Sequence, residues 1–133
     1  MRSLLAFEIP KLAFDVANVV IFAAILVGVA LRRRRLAHVR IMTASFVADV
    51  LMVAVIELQR GAVAKTLEQA RTVSDGLLSF HIFVSVASLA LWVYQLVGGR
   101  RILHGAGSLS RHRAGAWAFL VFRATNVGTA FFV

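Results

Sequence analysis

Three histidines of this chain lie within or beside long apolar stretches: His38, His81 and His112. Met42 follows His38 by four residues, so on a helix the two side chains share a face. Imidazole binds copper, zinc and iron, and a thioether adds a preference for soft Cu(I). His38, Met42 and His112 therefore make a candidate copper set. A histidine from each of two helices would equally suit the iron of haem b. His81 stands about five residues inside its apolar segment, where a polar ring needs a partner. A carboxylate from Asp15 or Glu57 would orient it, as carboxylates orient many metal-binding histidines. The candidate ligands are thus His38, Met42, His81, His112 and Glu57. The same side chains also suit plain structural roles: an interfacial histidine, a packing methionine, or an interhelical hydrogen bond worth about 1 kcal/mol.

Polar residues recur at helical spacing. His38, Met42, Ser45, Asp49 and Met52 are spaced 4, 3, 4, 3, and His112, Ala116, Phe119, Arg123 and Asn126 repeat that spacing. His81, Ser85, Ser88, Trp92 and Gln95 do so again, and Lys11, Asp15 and Asn18 form a shorter series. Such spacing predicts one polar stripe per helix, turned inward, because a charge in hydrocarbon costs about 2.5–3.5 kcal/mol on insertion scales. Asp49 follows His38 by eleven residues, and Arg123 follows His112 by eleven. Asp49 and Arg123 are therefore expected at similar depth, as an intramembrane ion pair that sets register or as part of a proton or ion path. Asp15, Asn18, His81 and Ser85 form an expected outer polar layer, with Glu57 nearby. His38, Met42, His112 and Gln95 form an inner one.

The elements that must carry these stripes are membrane helices. The chain has 133 residues, is 60% hydrophobic and has a mean hydropathy of +0.84. That balance departs from soluble domains and predicts a single integral membrane domain. A helix needs roughly 20 apolar residues to cross a bilayer. Four segments meet that length, at 12–31, 39–58, 76–98 and 114–133. The expected fold class is all-α, an antiparallel four-helix transmembrane bundle. The linker 59–75 is polar, and AKTLEQARTV within it suits a short surface helix.

Charge gives the orientation. The net charge is +9. Arg32–Arg35 and Arg40 surround the first loop, and Arg100, Arg101, Arg111 and Arg113 the third. The positive-inside rule then places both loops in the cytoplasm and both termini outside, as in a multi-pass protein of a bacterial-type inner membrane. Trp92 and Tyr94 are expected in an interfacial aromatic belt, and His104 in water. MRSLLAFEIPK is broken by Glu8, Pro10 and Lys11, which predicts no cleaved leader. The basic charge does not point to nucleic acid, since no stacking aromatics or recognition motif accompany it.

Several chemistries are excluded. There is no cysteine, hence no disulfide, thiolate metal site or c-type haem attachment. HExxH, GxSxG and glycine-rich phosphate loops are absent as well, so no enzymatic activity is expected.

AHVRIM at the start of the second span, SFHIF in the third and RHRAGAW opening the fourth resemble the YozB/CtaM-like family of small four-helix membrane proteins. The likeness extends over the whole chain in topology. It singles out His38, Met42, His81, His112 and Gly115. Some members of that family are linked to the maturation or function of haem-copper terminal oxidases. The family often has a histidine near the outer end of the second span, where this chain reads VIELQRG with Glu57 and Gln59. The resemblance implies a respiratory accessory protein that binds or hands over copper or haem during terminal-oxidase assembly. The alternatives are a haem b electron-transfer subunit, or a structural subunit or small transporter with a polar interior. Partners would be the lipid bilayer and a terminal oxidase or other respiratory membrane complex, with Gly128 and Phe131 as candidate contact points.

Overall fold

The computed structural model describes residues 9–61, 68 and 76–133, and among them run four long helices. They are α1 (Lys11–Ala30), α2 (Arg35–Arg60), α3 (Gly76–Leu103) and α4 (Leu109–Ala130), and no strand occurs among the described residues. Their lengths are 20, 26, 28 and 22 residues. Of the surface helix expected at 64–73 only Glu68 is described, and it is helical and exposed; the rest lies outside the described residues.

Three of the four, α1, α2 to Gln59, and α3, are long and apolar enough to cross a membrane. Helix α4 falls short of that standard. Its start carries Arg111, His112 and Arg113, and Arg123, Thr125, Asn126 and Thr129 interrupt the remainder. Helix α2 runs past both expected apolar limits, α3 past its far limit and α4 ahead of its near one, whereas α1 and α4 stop at Ala30 and Ala130, short of the expected 31 and 133. Between α1 and α2 only residues 31–34 are non-helical, and between α3 and α4 only 104–108. Arginine and leucine are good helix formers, so helical hydrogen bonding continues beyond the apolar run.

Local chemistry sets the ends. Pro10 caps α1 with φ −65°, and its carbonyl receives the Ala13 N–H at 3.0 Å. Helix α2 closes on Gly61, whose φ of 53° is left-handed and whose N–H donates to the Glu57 carbonyl. Ser108 caps α4, its hydroxyl accepting the Arg111 N–H at 3.4 Å.

The chain divides into two compact units, Met1–Val73 and Ser74–Val133. In the first, α1 packs on α2. Its buried residues are Asn18, Ile21, Ile25 and Gly28 on α1, and Met42, Ser45 and Asp49 on α2, each series at 3–4 spacing. In the second, α3 packs on α4. The close pairs His81–Thr129, Ser85–Asn126, Trp92–Phe119 and Gly98–His112 run in opposite directions along the two helices, which makes them antiparallel.

The buried stripe of the second unit is Val84, Ser88, Trp92 and Gln95 facing Phe119, Arg123, Asn126 and Val127. Trp92 does not join an interfacial belt. It is 0% exposed and tilts against Phe119, ring centroids 5.0 Å apart. It shares a helical face with Ser88 and Gln95, and that face is inward. Tyr94, two residues on, is exposed, as is His104.

Candidate functional site

His38 is the fourth residue of α2, just past the tight turn that reverses the chain. Its ring Nδ1 lies 2.7 Å from the Gly28 carbonyl oxygen on α1. A carbonyl only accepts, so Nδ1 carries the proton and donates it. In the neutral ring the lone pair is then on Nε2, the arrangement that a backbone carbonyl imposes on many metal-binding histidines. Met42 reaches the same glycine: a Cβ added at Gly28 would stand 3.0 Å from the Met42 sulfur. One residue of α1 thus gathers an imidazole and a thioether. Gly28 was not visible as a site residue in sequence. Its signal was its place at 3-residue spacing from Ile25 and within one turn of the helix end.

His81 enters the second unit near the start of α3. Its Nδ1 is 2.7 Å from the Thr129 hydroxyl on α4, so at this nitrogen its partner is a hydroxyl of its own hairpin. The Thr129 hydroxyl also lies within donor reach of the Thr125 and Asn126 carbonyls, at 2.9 and 3.1 Å. Ser85 donates to the Asn126 side-chain oxygen at 2.9 Å, and lies 2.7 Å from the His81 carbonyl. Thr129 was missed in sequence, although it follows Asn126 by one helical step on the polar stripe.

His112 is the fourth residue of α4 and packs on the glycine pair of α3. Added Cβ atoms at Gly98 and Gly99 would each stand 3.5 Å from its ring. His81 and the Gly98 level of α3 are seventeen residues apart, about 25 Å along a helix. His81 and His112 therefore belong to opposite ends of their hairpin.

The remaining candidates are dispersed. Asp15 pairs with Lys11 at 3.3 Å across one helical turn, a partly exposed contact of small energetic weight. Asn18 is buried, and Glu57 is half-buried near the end of α2. Asp49 and Arg123 are 4% and 3% exposed. The Arg123 guanidinium stands 5.6 Å from the centre of the Trp92 ring, a cation–π arrangement inside α3–α4. Ser88 Oγ and Gln95 Nε2 are buried with no hydrogen-bond partner among the described residues. Gly115 is where α3 and α4 approach closely: an added Cβ would overlap Gln95 Nε2 and stand 2.9 Å from Tyr94 Cε1.

Among the described residues no group of three or more His, Asp or Glu side chains is placed to hold a metal ion. Of the candidate residues, His38 and Met42 both reach Gly28. No family model, curated protein or solved structure matches the chain.

Proposed function

We propose that this is a multi-pass membrane protein, both termini outside and both arginine-rich turns inside, that accepts and hands on copper as cargo through His38 and Met42. The carrying observation is the 2.7 Å contact of His38 Nδ1 with the Gly28 carbonyl, which leaves the neutral ring's lone pair on Nε2, while the Met42 thioether packs on the same glycine. A nitrogen and a soft sulfur suit Cu(I). Two protein donors leave further coordination positions to a recipient, which favours transfer over permanent storage. The resemblance of AHVRIM, SFHIF and RHRAGAW to the YozB/CtaM-like family supports a respiratory setting, with a terminal oxidase under assembly as the recipient. In that role the protein is an accessory factor and not an enzyme.

The experiment is a Cu(I) competition titration of the full chain in mild detergent, with an optical spectrum of the same sample. About one Cu(I) per chain is expected, weakened at least tenfold by His38→Ala and less by Met42→Leu, in line with a lost ligand. Cu(I) affinity untouched by both substitutions overturns the reading. A stoichiometric haem absorbance lost with His81→Ala or His112→Ala replaces it with the haem b alternative.

A second reading rests on Ser88, Gln95 and Arg123, polar groups buried along α3–α4. They suit a structural subunit or small transporter whose interior is polar for packing or proton movement. Function that survives replacement of every histidine but not of Asp49 or Arg123 would favour it.

A further inference from the structure

We infer that the cavity at the α3–α4 turn is a binding site for a phosphate group. This cavity, about 510 Å³, is lined among others by Tyr94, Gly98, Arg101, Ser108, Arg111 and His112. Its volume falls within the roughly 300–1,000 Å³ of small-molecule sites. Arg101 comes from the last turn of α3 and Arg111 from the first turn of α4, so two arginines border one cavity from opposite helices.

The case rests on charge as much as on shape. Residues 76–133 contain Arg100, Arg101, Arg111, Arg113 and Arg123, and not one Asp or Glu. No ion pair of Arg101 or Arg111 occurs among the described residues. The positive charge at this turn therefore calls for an anion that the hairpin's own side chains do not supply. Guanidinium forks match phosphate oxygens with two parallel N–H donors. The Ser108 hydroxyl and the amino end of the 22-residue α4 open on the same turn, and both favour an anion.

Phosphate is the anion at hand. Helix α3 is long and apolar enough to cross a bilayer, and its arginine-bearing end then falls at headgroup level, where lipid phosphates are concentrated. The positive-inside rule puts that end on the side rich in anionic lipid. The source is either such a headgroup or free phosphate, which share the chemistry that the arginines read. The inference does not depend on copper handling by His38 and Met42, which lie on the other hairpin.

The test is native mass spectrometry of the full chain released from detergent, titrated with phosphatidylglycerol, phosphatidylcholine or inorganic phosphate. Saturable binding of one phosphatidylglycerol is expected, weakened about tenfold or more in an R101Q/R111Q double variant, as for the loss of charge-assisted hydrogen bonds. R101K/R111K should recover part of the loss, since charge returns without the fork. R32Q/R33Q, which removes equal charge from the other hairpin, should bind as the unaltered protein does. Displacement by inorganic phosphate would assign the site to the phosphate alone, and resistance to it would assign the site to the lipid. Binding that does not saturate, or that R32Q/R33Q lowers as much as R101Q/R111Q, overturns the inference.

Discussion

The two hairpins repeat one plan with different chemistry. In each, the second helix begins just after a tight turn, and its fourth residue is a histidine whose backbone N–H donates to the cap carbonyl, 2.9 Å for His38 and 3.1 Å for His112. Each histidine ring meets glycine on the preceding helix. Eleven residues later each helix buries a charge, Asp49 in one and Arg123 in the other. The differences lie in what surrounds that plan. His38 is held by a carbonyl hydrogen bond next to a methionine, whereas His112 borders a cavity flanked by arginines. The soft-metal donor pair proposed for one hairpin and the anion site proposed for the other thus share one local geometry. The choice depends on neighbours one turn away, not on the histidine.

The buried charges offer the sharpest break in this comparison. If Asp49 and Arg123 neutralise each other, as their matched positions in the sequence predict, then Asp49→Ala and Arg123→Ala should each destabilise by about 3–5 kcal/mol. The double variant should then lose clearly less than the sum, a coupling that thermal or denaturant unfolding in detergent can read. Strict additivity would mean that each hairpin manages its charge alone.

A smaller effect distinguishes the glycine contacts. At Gly115 an added Cβ would overlap Gln95 Nε2 and crowd the Tyr94 ring, so Gly115→Val should cost about 1–3 kcal/mol by overpacking. At Gly28 an added Cβ would stand 3.0 Å from the sulfur of a flexible methionine and 3.1 Å from Ile41 Cγ2, without the overlap met at Gly115. Gly28→Ala should therefore disturb stability less and, if Met42 is displaced, lower Cu(I) affinity more. Unfolding midpoints alongside copper titrations of the two variants would show whether the α1–α2 glycine serves the site and the α3–α4 glycine serves packing.

The smallest effect is at the end of the second hairpin remote from its turn. Thr129→Val removes the hydroxyl beside His81 Nδ1 with little change in shape, and should destabilise by about 1 kcal/mol, the usual size of an interhelical hydrogen bond in a membrane. A proton NMR signal of the His81 ring should shift in the same variant. An unmoved ring signal would separate His81 from Thr129 in solution.

Much of the fold was legible residue by residue. The 3–4 spacing of Ser88, Trp92 and Gln95, and of Phe119, Arg123 and Asn126, marked the faces that are buried, because a helix puts such residues on one side whatever it packs against. The apolar lengths of α1, α2 and α3 were legible for the same local reason. Aromatic type alone suggests a boundary for Trp92, but its place on the stripe with Ser88 and Gln95 turns it inward.

The candidate sites were legible only in part. Sequence alone determined which residues can ligate or carry charge, which share a helical face, and that residues 76–133 hold five arginines with no carboxylate. Tertiary structure alone decided that Gly28 receives His38 and Met42, that His81 Nδ1 meets Thr129, and that Arg101 and Arg111 border one cavity. The reason is range. Periodicity along one helix follows from 3.6 residues per turn, whereas contacts between helices depend on turn length and on where glycine lets two backbones approach.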